Sequence, residues 1–195
     1  MNTRAEQGRA TRDRLVAVAT RLFAERGYEG TAIDAVLDEA GVSRGSLYHH
    51  FPSKLALFEA VLEAVETRIG ETTVAAAGDT TDPVAALRAG SLAWVRLAGD
   101  PVVQRIVLLD APSVLGWSRW REIEEQHALG GLKLAMQVAA EQGRVPPELA
   151  DVFAHMLLAT MNELALMIVR AEDPAVAQQT AQAAVDEVLG RLLGA

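Results

Sequence analysis

A short run of hydrogen-bond donors is the part of this sequence whose residue types point most directly to a chemistry. The run reads VSRGSLYHHFPSK, and its donors are Arg44, Ser46, Tyr48, His49 and Lys54. A solvated helix face is usually filled with lysine and glutamate, whereas this one is small, polar and able to donate. An arginine at a helix start can reach guanine edges in the DNA major groove, and hydroxyl, imidazole and ammonium groups bind phosphate oxygens. The run therefore predicts contact with double-stranded DNA.

Two short helices separated by the sequence AGVS are predicted to position these donors. Thr31 can cap the first helix and Ser43 the second, because a hydroxyl oxygen accepts the free N–H groups at a helix start. Gly41 supplies the turn between them, where a side chain would resist the backbone conformation. Pro52 ends the second helix, since the residue before a proline disfavours helical backbone. This pattern indicates a helix-turn-helix, in which Gly45 leaves room for close approach to a groove.

The remainder of the sequence is also patterned as helix. An amphipathic helix over residues 12–26 is expected to stop at Gly27. Further helices are expected at roughly 54–69, 83–98, 101–115, 118–142, 147–171 and 174–193. Asp100 and Asp173 each precede a proline and can cap two of them. The prediction is an all-α protein, with a helix-turn-helix domain over residues 1–54, a connecting helix over 54–70 and a larger helical domain over 71–195.

Composition and charge limit the class of protein. The 195 residues carry a net charge of −8 and contain no cysteine, which excludes disulfides and thiolate metal sites. Residues 1–54 hold eight Lys or Arg and seven acidic residues, a balance of +1, so the remaining residues carry −9. The front of the chain can therefore accept a polyanion. Its polar start has no apolar signal core, and polar residues interrupt the most apolar segment, 152–169, so we expect a cytoplasmic protein without a membrane span.

A second group of residues, all in the larger domain, is a candidate ligand site. Its tryptophans and methionines are either ordinary core or the lining of an adaptable apolar cavity. Asn162 and Glu163 lie within LLATMNELALMIV, where a buried carboxylate needs a partner and belongs either to an ion pair or to a ligand site. The candidate ligand-binding residues are Trp94, Arg105, Trp117, Trp120, His127, Met136, Phe153, Met156, Asn162 and Glu163.

Patterns typical of catalysis or metal binding are missing from the sequence. His49 and His50 are adjacent, and neighbouring helical residues point about 100° apart, so the pair cannot easily share one ion. There is no Ser-His-Asp spacing, no phosphate-binding loop and no H-E-x-x-H. We therefore expect no enzymatic activity, no metal and no cofactor.

Residues 10–58 resemble the DNA-binding domain of the TetR family of transcriptional regulators, and AGVSRGSLYHHFPSK, residues 40–54, carries the resemblance. The sequence departs from the family pattern at Leu37, where a small alanine is usual, so the packing between the two short helices must adjust. Given this resemblance and the polar face described above, the candidate DNA-binding residues are Thr31, Ser43, Arg44, Gly45, Ser46, Tyr48, His49 and Lys54.

The resemblance also implies an architecture and a function for the rest of the chain. The larger domain would bind a small-molecule effector and form a homodimer through the last two helices. The dimer would be a repressor that binds a pseudo-palindromic operator and is released by the effector, whose identity the sequence does not give. Two alternatives stay open: a helical small-molecule-binding or interaction protein without operator control, and an all-helical enzyme.

Overall fold

The computed structural model describes residues 3–194, with side chains from residue 5 to residue 194. No β-strand occurs in this part of the chain, so the predicted all-α class is confirmed. The chain divides into two compact units. The first unit is Met1–Val65 with Pro101–Trp120, and the second is Glu66–Asp100 with Arg121–Ala195. The predicted domains were continuous in sequence, whereas the first unit also takes in a later segment.

The first unit is built mainly from four helices and an aromatic core. The helices are α1 (Thr3–Gly30), α2 (Ile33–Ala40), α3 (Arg44–His50) and the beginning of α4 (Lys54–Ala77). Phe23 and Phe58 are fully buried, with ring centroids 5.2 Å apart, and Leu47 is the fully buried residue of α3. Burial of such side chains provides about 1.5–3 kcal/mol each. These contacts hold the short α3, which has little helical stability by itself.

Gly41 acts as predicted, whereas Gly27 interrupts the first helix without ending it. Gly27 has a φ of +73° and interrupts α1, after which the helix continues to Gly30. Gly41 has a φ of +65°, in the left-handed region that glycine adopts without strain. Its N–H donates to the Leu37 carbonyl at 3.0 Å. Leu37 is buried, and a leucine is thus accommodated in the packing of α2. Gly41 forms the turn between α2 and α3.

The segment 101–120 of the first unit differs from the single α-helix that was expected over 101–115. A π-helical stretch, Val103–Asp110, leads into the short α6 (Ala111–Leu115), and α7 (Trp117–Glu124) follows. The π-helical stretch lies against α1. There the Asp110 carboxylate accepts the Tyr28 N–H at 2.7 Å and the Arg105 Nε at 3.2 Å. The hydrogen bond from Tyr28 thus connects the π-helical stretch to the interrupted end of α1.

The second unit is a helical bundle. It contains the end of α4, α5 (Pro83–Leu97), a π-helical stretch Glu125–Leu129, α8 (Gly130–Glu141), α9 (Ala150–Arg170) and α10 (Pro174–Leu193). Aspartates cap two of these helices: Asp82 accepts the Val84 N–H at 3.1 Å, and Asp173 accepts the Ala175 N–H at 3.0 Å. The Trp94 indole N–H donates to the Met161 carbonyl at 3.0 Å and joins α5 to α9.

One stretch of the second unit has the length and composition of a membrane span. Within the described residues, the helix Pro147–Arg170 contains an 18-residue window that is apolar enough to cross a membrane, with a mean hydropathy of 1.7. In this fold α9 packs against α5, α8 and α10. A helix inside a protein core passes the same test, so this finding is weak grounds for a span.

Candidate functional site

The outer face of α3 presents most of the predicted DNA-binding residues. Arg44, Gly45, Tyr48 and His49 are exposed, and Ser46 is half-buried. Space is open around Gly45, where an added Cβ would meet nothing within 4 Å. Ser43 caps α3, and its hydroxyl accepts the Ser46 N–H at 3.2 Å, as predicted. The fold therefore places a donor-rich, uncrowded helix face at the surface of the first unit.

Arg44 is held by an acidic neighbour. Its guanidinium donates to the carboxylate of Asp34 on α2, and both side chains are more than half exposed. An exposed pair of this kind contributes little to stability, typically less than about 1 kcal/mol. Arg44 can therefore be released toward another anion at little cost.

Lys54 lies at the start of α4, where free backbone N–H groups also favour an anion. Its ammonium sits 4.3 Å from the centroid of the Tyr28 ring, a cation–π contact that orients the side chain. Ser53 caps the helix by accepting the Ala56 N–H at 3.0 Å. This arrangement suits the binding of one phosphate.

Thr31 does not take the role that the sequence suggested. Ala32, without a side-chain hydrogen bond, precedes α2, so the prediction that Thr31 caps this helix is wrong. The Thr31 side chain is 1% exposed, and its hydroxyl lies 2.8 Å from the Gly27 carbonyl and 3.1 Å from the Leu22 carbonyl. Carbonyls at the interrupted end of α1 need donors, and the hydroxyl supplies one. Its side chain is therefore not available to DNA.

A cavity of about 200 Å³ lies within the second unit. Its walls come from the end of α4, from α5, from the stretch 124–135 and from α9. Most of the lining is apolar or small, including Ile69, Leu87 and Leu158. Ligand sites in proteins are typically such apolar clefts with a few polar groups.

Two buried carboxyl groups, Glu66 on α4 and Glu124 on α7, are the acidic groups of the cavity. Each is 3% exposed. Burial, together with the nearby charge of Glu124, raises the pKa of Glu66 to about 8. Burial also raises the pKa of Glu124 to about 7, against the opposing influence of Arg121 and Asn162. Near neutral pH a large share of these carboxyl groups is therefore protonated.

Hydrogen bonding distinguishes the two carboxyl groups. The Asn162 side-chain amide donates to Oε2 of Glu124 at 2.9 Å, and an Arg121 nitrogen lies 3.7 Å from the same oxygen. Oε1 of Glu66 has no hydrogen-bond partner among the described residues, and the same holds for the hydroxyl oxygen of Ser91, which also lines the cavity. Buried polar atoms are nearly always paired, so unpaired atoms at a cavity wall mark places for a ligand.

The structure brings three of the predicted ligand-binding residues to this cavity: Trp94, His127 and Asn162. The other seven do not line it. Arg105, Trp117 and Trp120 belong to the first unit, whereas Met136, Phe153, Met156 and Glu163 lie in the second. Glu163 is exposed, so the expectation of a buried carboxylate at this position is wrong. The helical period turns Glu163 outward and its neighbour Asn162 inward.

Sequence reasoning missed four polar residues of the cavity: Glu66, Thr73, Ser91 and Glu124. A signal existed for Glu66, which follows Leu62 by four residues and precedes Ile69 by three, on the apolar face of α4. An acidic residue at a core position is a candidate functional group. Glu124 and Ser91 have no comparable local signal.

Family models match both parts of the chain. The model of bacterial regulatory proteins of the tetR family matches residues 15–61, and that of the tetracyclin repressor-like C-terminal domain matches residues 84–192. The HTH-type transcriptional regulator AcrR of Shigella flexneri is 38% identical over 66 residues, which are 34% of this chain and 31% of that protein. The first curated relatives are matched over only 24–34% of their own length.

Solved structures resemble nearly the whole chain. A TetR-family transcriptional regulator from Pectobacterium atrosepticum has a TM-score of 0.82 and 30% identity, with 96% of each chain covered. The structure of AibR in complex with isovaleryl coenzyme A and operator DNA has a TM-score of 0.63 and 23% identity, covering 94% of this chain and 98% of that one. The likeness to AibR extends to the fold alone.

Proposed function

Because this chain belongs to the TetR family of bacterial transcriptional regulators, we propose that it is a homodimeric repressor whose operator binding is controlled by a small molecule. The helix-turn-helix carries the proposal, since α3 presents Arg44, Gly45, Tyr48 and His49 at the surface behind the Gly41 turn. A cavity lined by unpaired polar atoms supports the proposed effector binding. The chain would act in the cytoplasm on DNA and without a cofactor.

The residues of the donor-rich face divide between two tasks. Arg44, at the start of α3, would read base edges, because a guanidinium can donate two parallel hydrogen bonds to guanine. Ser46, Tyr48 and Lys54 would hold phosphates and fix the position of α3 in the groove. Gly45 would permit close approach, Ser43 would keep the helix start in place, and His49 could serve either task.

A second copy of the chain is the proposed partner of α9 and α10. Both helices expose large apolar side chains: Val152, Met156 and Met167 on α9, and Val176 and Val188 on α10. Val152, Met156, Glu163 and Met167 share one face of α9, spaced by four, seven and four residues. An apolar face of this kind is typical of an interface between subunits. A two-fold dimer would supply the two recognition helices that a pseudo-palindromic operator requires.

Control by the effector requires that it bind two conformations of the dimer unequally. AibR, a protein of the same fold, has been crystallised with both an acyl coenzyme A and operator DNA. In this chain the cavity of the second unit is the proposed effector site. A ligand there would favour a spacing of the recognition helices that does not match the operator.

Fluorescence anisotropy on DNA from upstream of the chain's own gene tests this function. Binding should be sequence-specific and should weaken as salt rises, because phosphate contacts release counterions. Arg44→Ala should cost about 1–3 kcal/mol and relax the preference at one base position. Lys54→Ala should weaken all sequences to a similar extent. If the intact chain shows no salt-sensitive, sequence-specific binding, the proposed function fails.

A further inference from the structure

The charged side chains of the cavity wall are acidic. Glu66 and Glu124 line it, together with His127, but no lysine or arginine is among its described lining residues. A ligand carboxylate or phosphate would thus meet two acidic groups and no fixed positive partner. Bringing an anion into an apolar site without a partner costs several kcal/mol. The cavity therefore disfavours anionic ligands.

Glu66 contributes the least satisfied acidic group of this wall. Its Oε1 and the Oγ of Ser91, which also lines the cavity, have no hydrogen-bond partner among the described residues. Both side chains are at least nine-tenths buried and line the same cavity. A carboxylate oxygen and a hydroxyl oxygen can both accept N–H groups. The unpaired atoms of this wall thus suit a ligand that donates.

The side chains around Glu124 do not neutralise the acidic groups of the cavity wall. Arg121 approaches Glu124 at 3.7 Å, but its Nε donates to Glu125 at 3.0 Å. His155 in turn lies 3.9 Å from Glu125, and His127 lines the cavity. From α9, Asn162 donates an amide N–H but brings no charge. One arginine is therefore shared between two glutamates, and Glu66 has no comparable ion pair among the described residues.

We infer that the effector site proposed above takes a small lipophilic cation, namely an amine with an apolar body, whose ammonium donates to Glu66 and lies near Glu124. The apolar body would pack against Ile69, Leu87 and Trp94. A neutral alcohol can satisfy one acceptor but brings no positive charge to balance a carboxylate that has lost its proton. The volume, about 200 Å³, is below the 300–1,000 Å³ of sites for drug-sized ligands, so the amine is small.

Proton release is an expected signature of this binding. The pKa of Glu66 is raised to about 8 and that of Glu124 to about 7, so the free site carries protons at neutral pH. An ammonium binds best to the ionised carboxylates, and protons must leave as it enters. Affinity for an amine should therefore rise with pH between 6 and 8, by about tenfold or more. Affinity for a neutral ligand of the same shape should not rise.

Isothermal titration calorimetry with the full chain in the absence of DNA tests the inference. The probes are 2-phenylethylamine, 2-phenylethanol and phenylacetate, with butylamine, butanol and butyrate as a smaller set. In each set the amine should bind at least tenfold more tightly than the alcohol, and the carboxylate should bind most weakly. Titrations of the amine in buffers with different ionisation enthalpies should show that protons are released.

Matched variants test whether Glu66 is responsible for the preference for amines. Glu66→Gln should lower amine affinity about tenfold and leave alcohol affinity unchanged, whereas Glu71→Gln, on the exposed face of the same helix, should change neither. Glu124→Gln offers a second removal of charge if the first variant does not fold. If neither amine binds more tightly than its matched alcohol and carboxylate, including the case in which nothing binds, the inference is overturned.

The test is separate from that of the proposed function. Amine binding by a chain that does not recognise operator DNA would support the ligand class and contradict the regulator. Operator binding together with a preference for carboxylates would support the regulator and contradict the ligand class.

Discussion

At the scale of single residues, Glu66 combines deep burial with an unpaired carboxyl oxygen. Its pKa rises from 4.5 to about 8, chiefly because burial disfavours the ionised form. Between these values the unfolded chain releases a proton that the folded chain keeps. The folded state binds more protons there, so the free energy of unfolding decreases as pH rises from about 4.5 to about 8. The free chain thus carries an instability at neutral pH that an amine in the cavity would relieve.

Replacement of this carboxyl by an uncharged amide should remove its contribution to the pH dependence of stability, while that of Glu124 remains. We expect Glu66→Gln to have about the same stability as the parent near pH 4.5 and to exceed it by a few kcal/mol at pH 8. Urea denaturation at pH 5, 6.5 and 8 measures the difference, with Glu71→Gln as a control that should follow the parent. Parallel stability curves for parent and Glu66→Gln would show that Glu66 is ionised in the fold.

At the scale of elements, an acidic residue of α2 restrains a hydrogen-bond donor of α3. Asp34 on α2 accepts a hydrogen bond from Arg44 on α3. The carboxylate orients the guanidinium before DNA arrives, but it also competes with DNA for it. Because both side chains are largely exposed, the pair contributes little to folding.

Removal of that competition should strengthen DNA binding. We expect Asp34→Asn to raise operator affinity several-fold, while the free energy of unfolding changes by less than about 0.5 kcal/mol. Asp38→Asn makes the same charge change one turn later on α2 and should have a smaller effect. Anisotropy titrations at fixed salt compare the two. An equal gain from Asp34→Asn in an Arg44→Ala background would mean that Arg44 is not involved.

Local signals predicted most elements of the first unit, and contacts distant in sequence account for what they missed. Ser43, Gly27 and Gly41 determine helix ends through their own side chain or backbone freedom, so their roles could be read directly. Thr31 was misread because its hydroxyl can either cap α2 or donate to carbonyls of α1. The interrupted end of α1 provides the carbonyls that it binds. The π-helical stretch Val103–Asp110 depends on its packing against α1, which no local pattern reveals.

The cavity was harder to predict than the helix-turn-helix for the same reason. Glu66, Ser91, Glu124 and Asn162 are separated by between 25 and 96 residues, and only the folded second unit brings them together. Helical periodicity says which side of a helix is apolar but not which apolar sides enclose a space. The candidate DNA-binding residues other than Thr31, by contrast, fall within one short helix and its flanks.

At the scale of the whole molecule, the proposed recognition of an operator would depend on two copies of the chain acting together. Each α3 can contact about one half-site, and linking two of them converts the second contact into an intramolecular event. The exposed apolar side chains of α9 and α10 are the proposed link between the copies. A substitution that prevents dimer formation should therefore also lower operator affinity.

A charge placed in the centre of this face tests that dependence. Met156 is 55% exposed on α9, and Met156→Glu would bury two like charges across a two-fold axis, which is strongly unfavourable. Sedimentation velocity should show a monomer with intact helix content by circular dichroism, and operator affinity should fall on the order of 10²-fold. Leu134→Glu alters an exposed leucine of α8 and should leave the dimer intact. A dimeric Met156→Glu protein, or a monomer with full operator affinity, would place the link between subunits elsewhere.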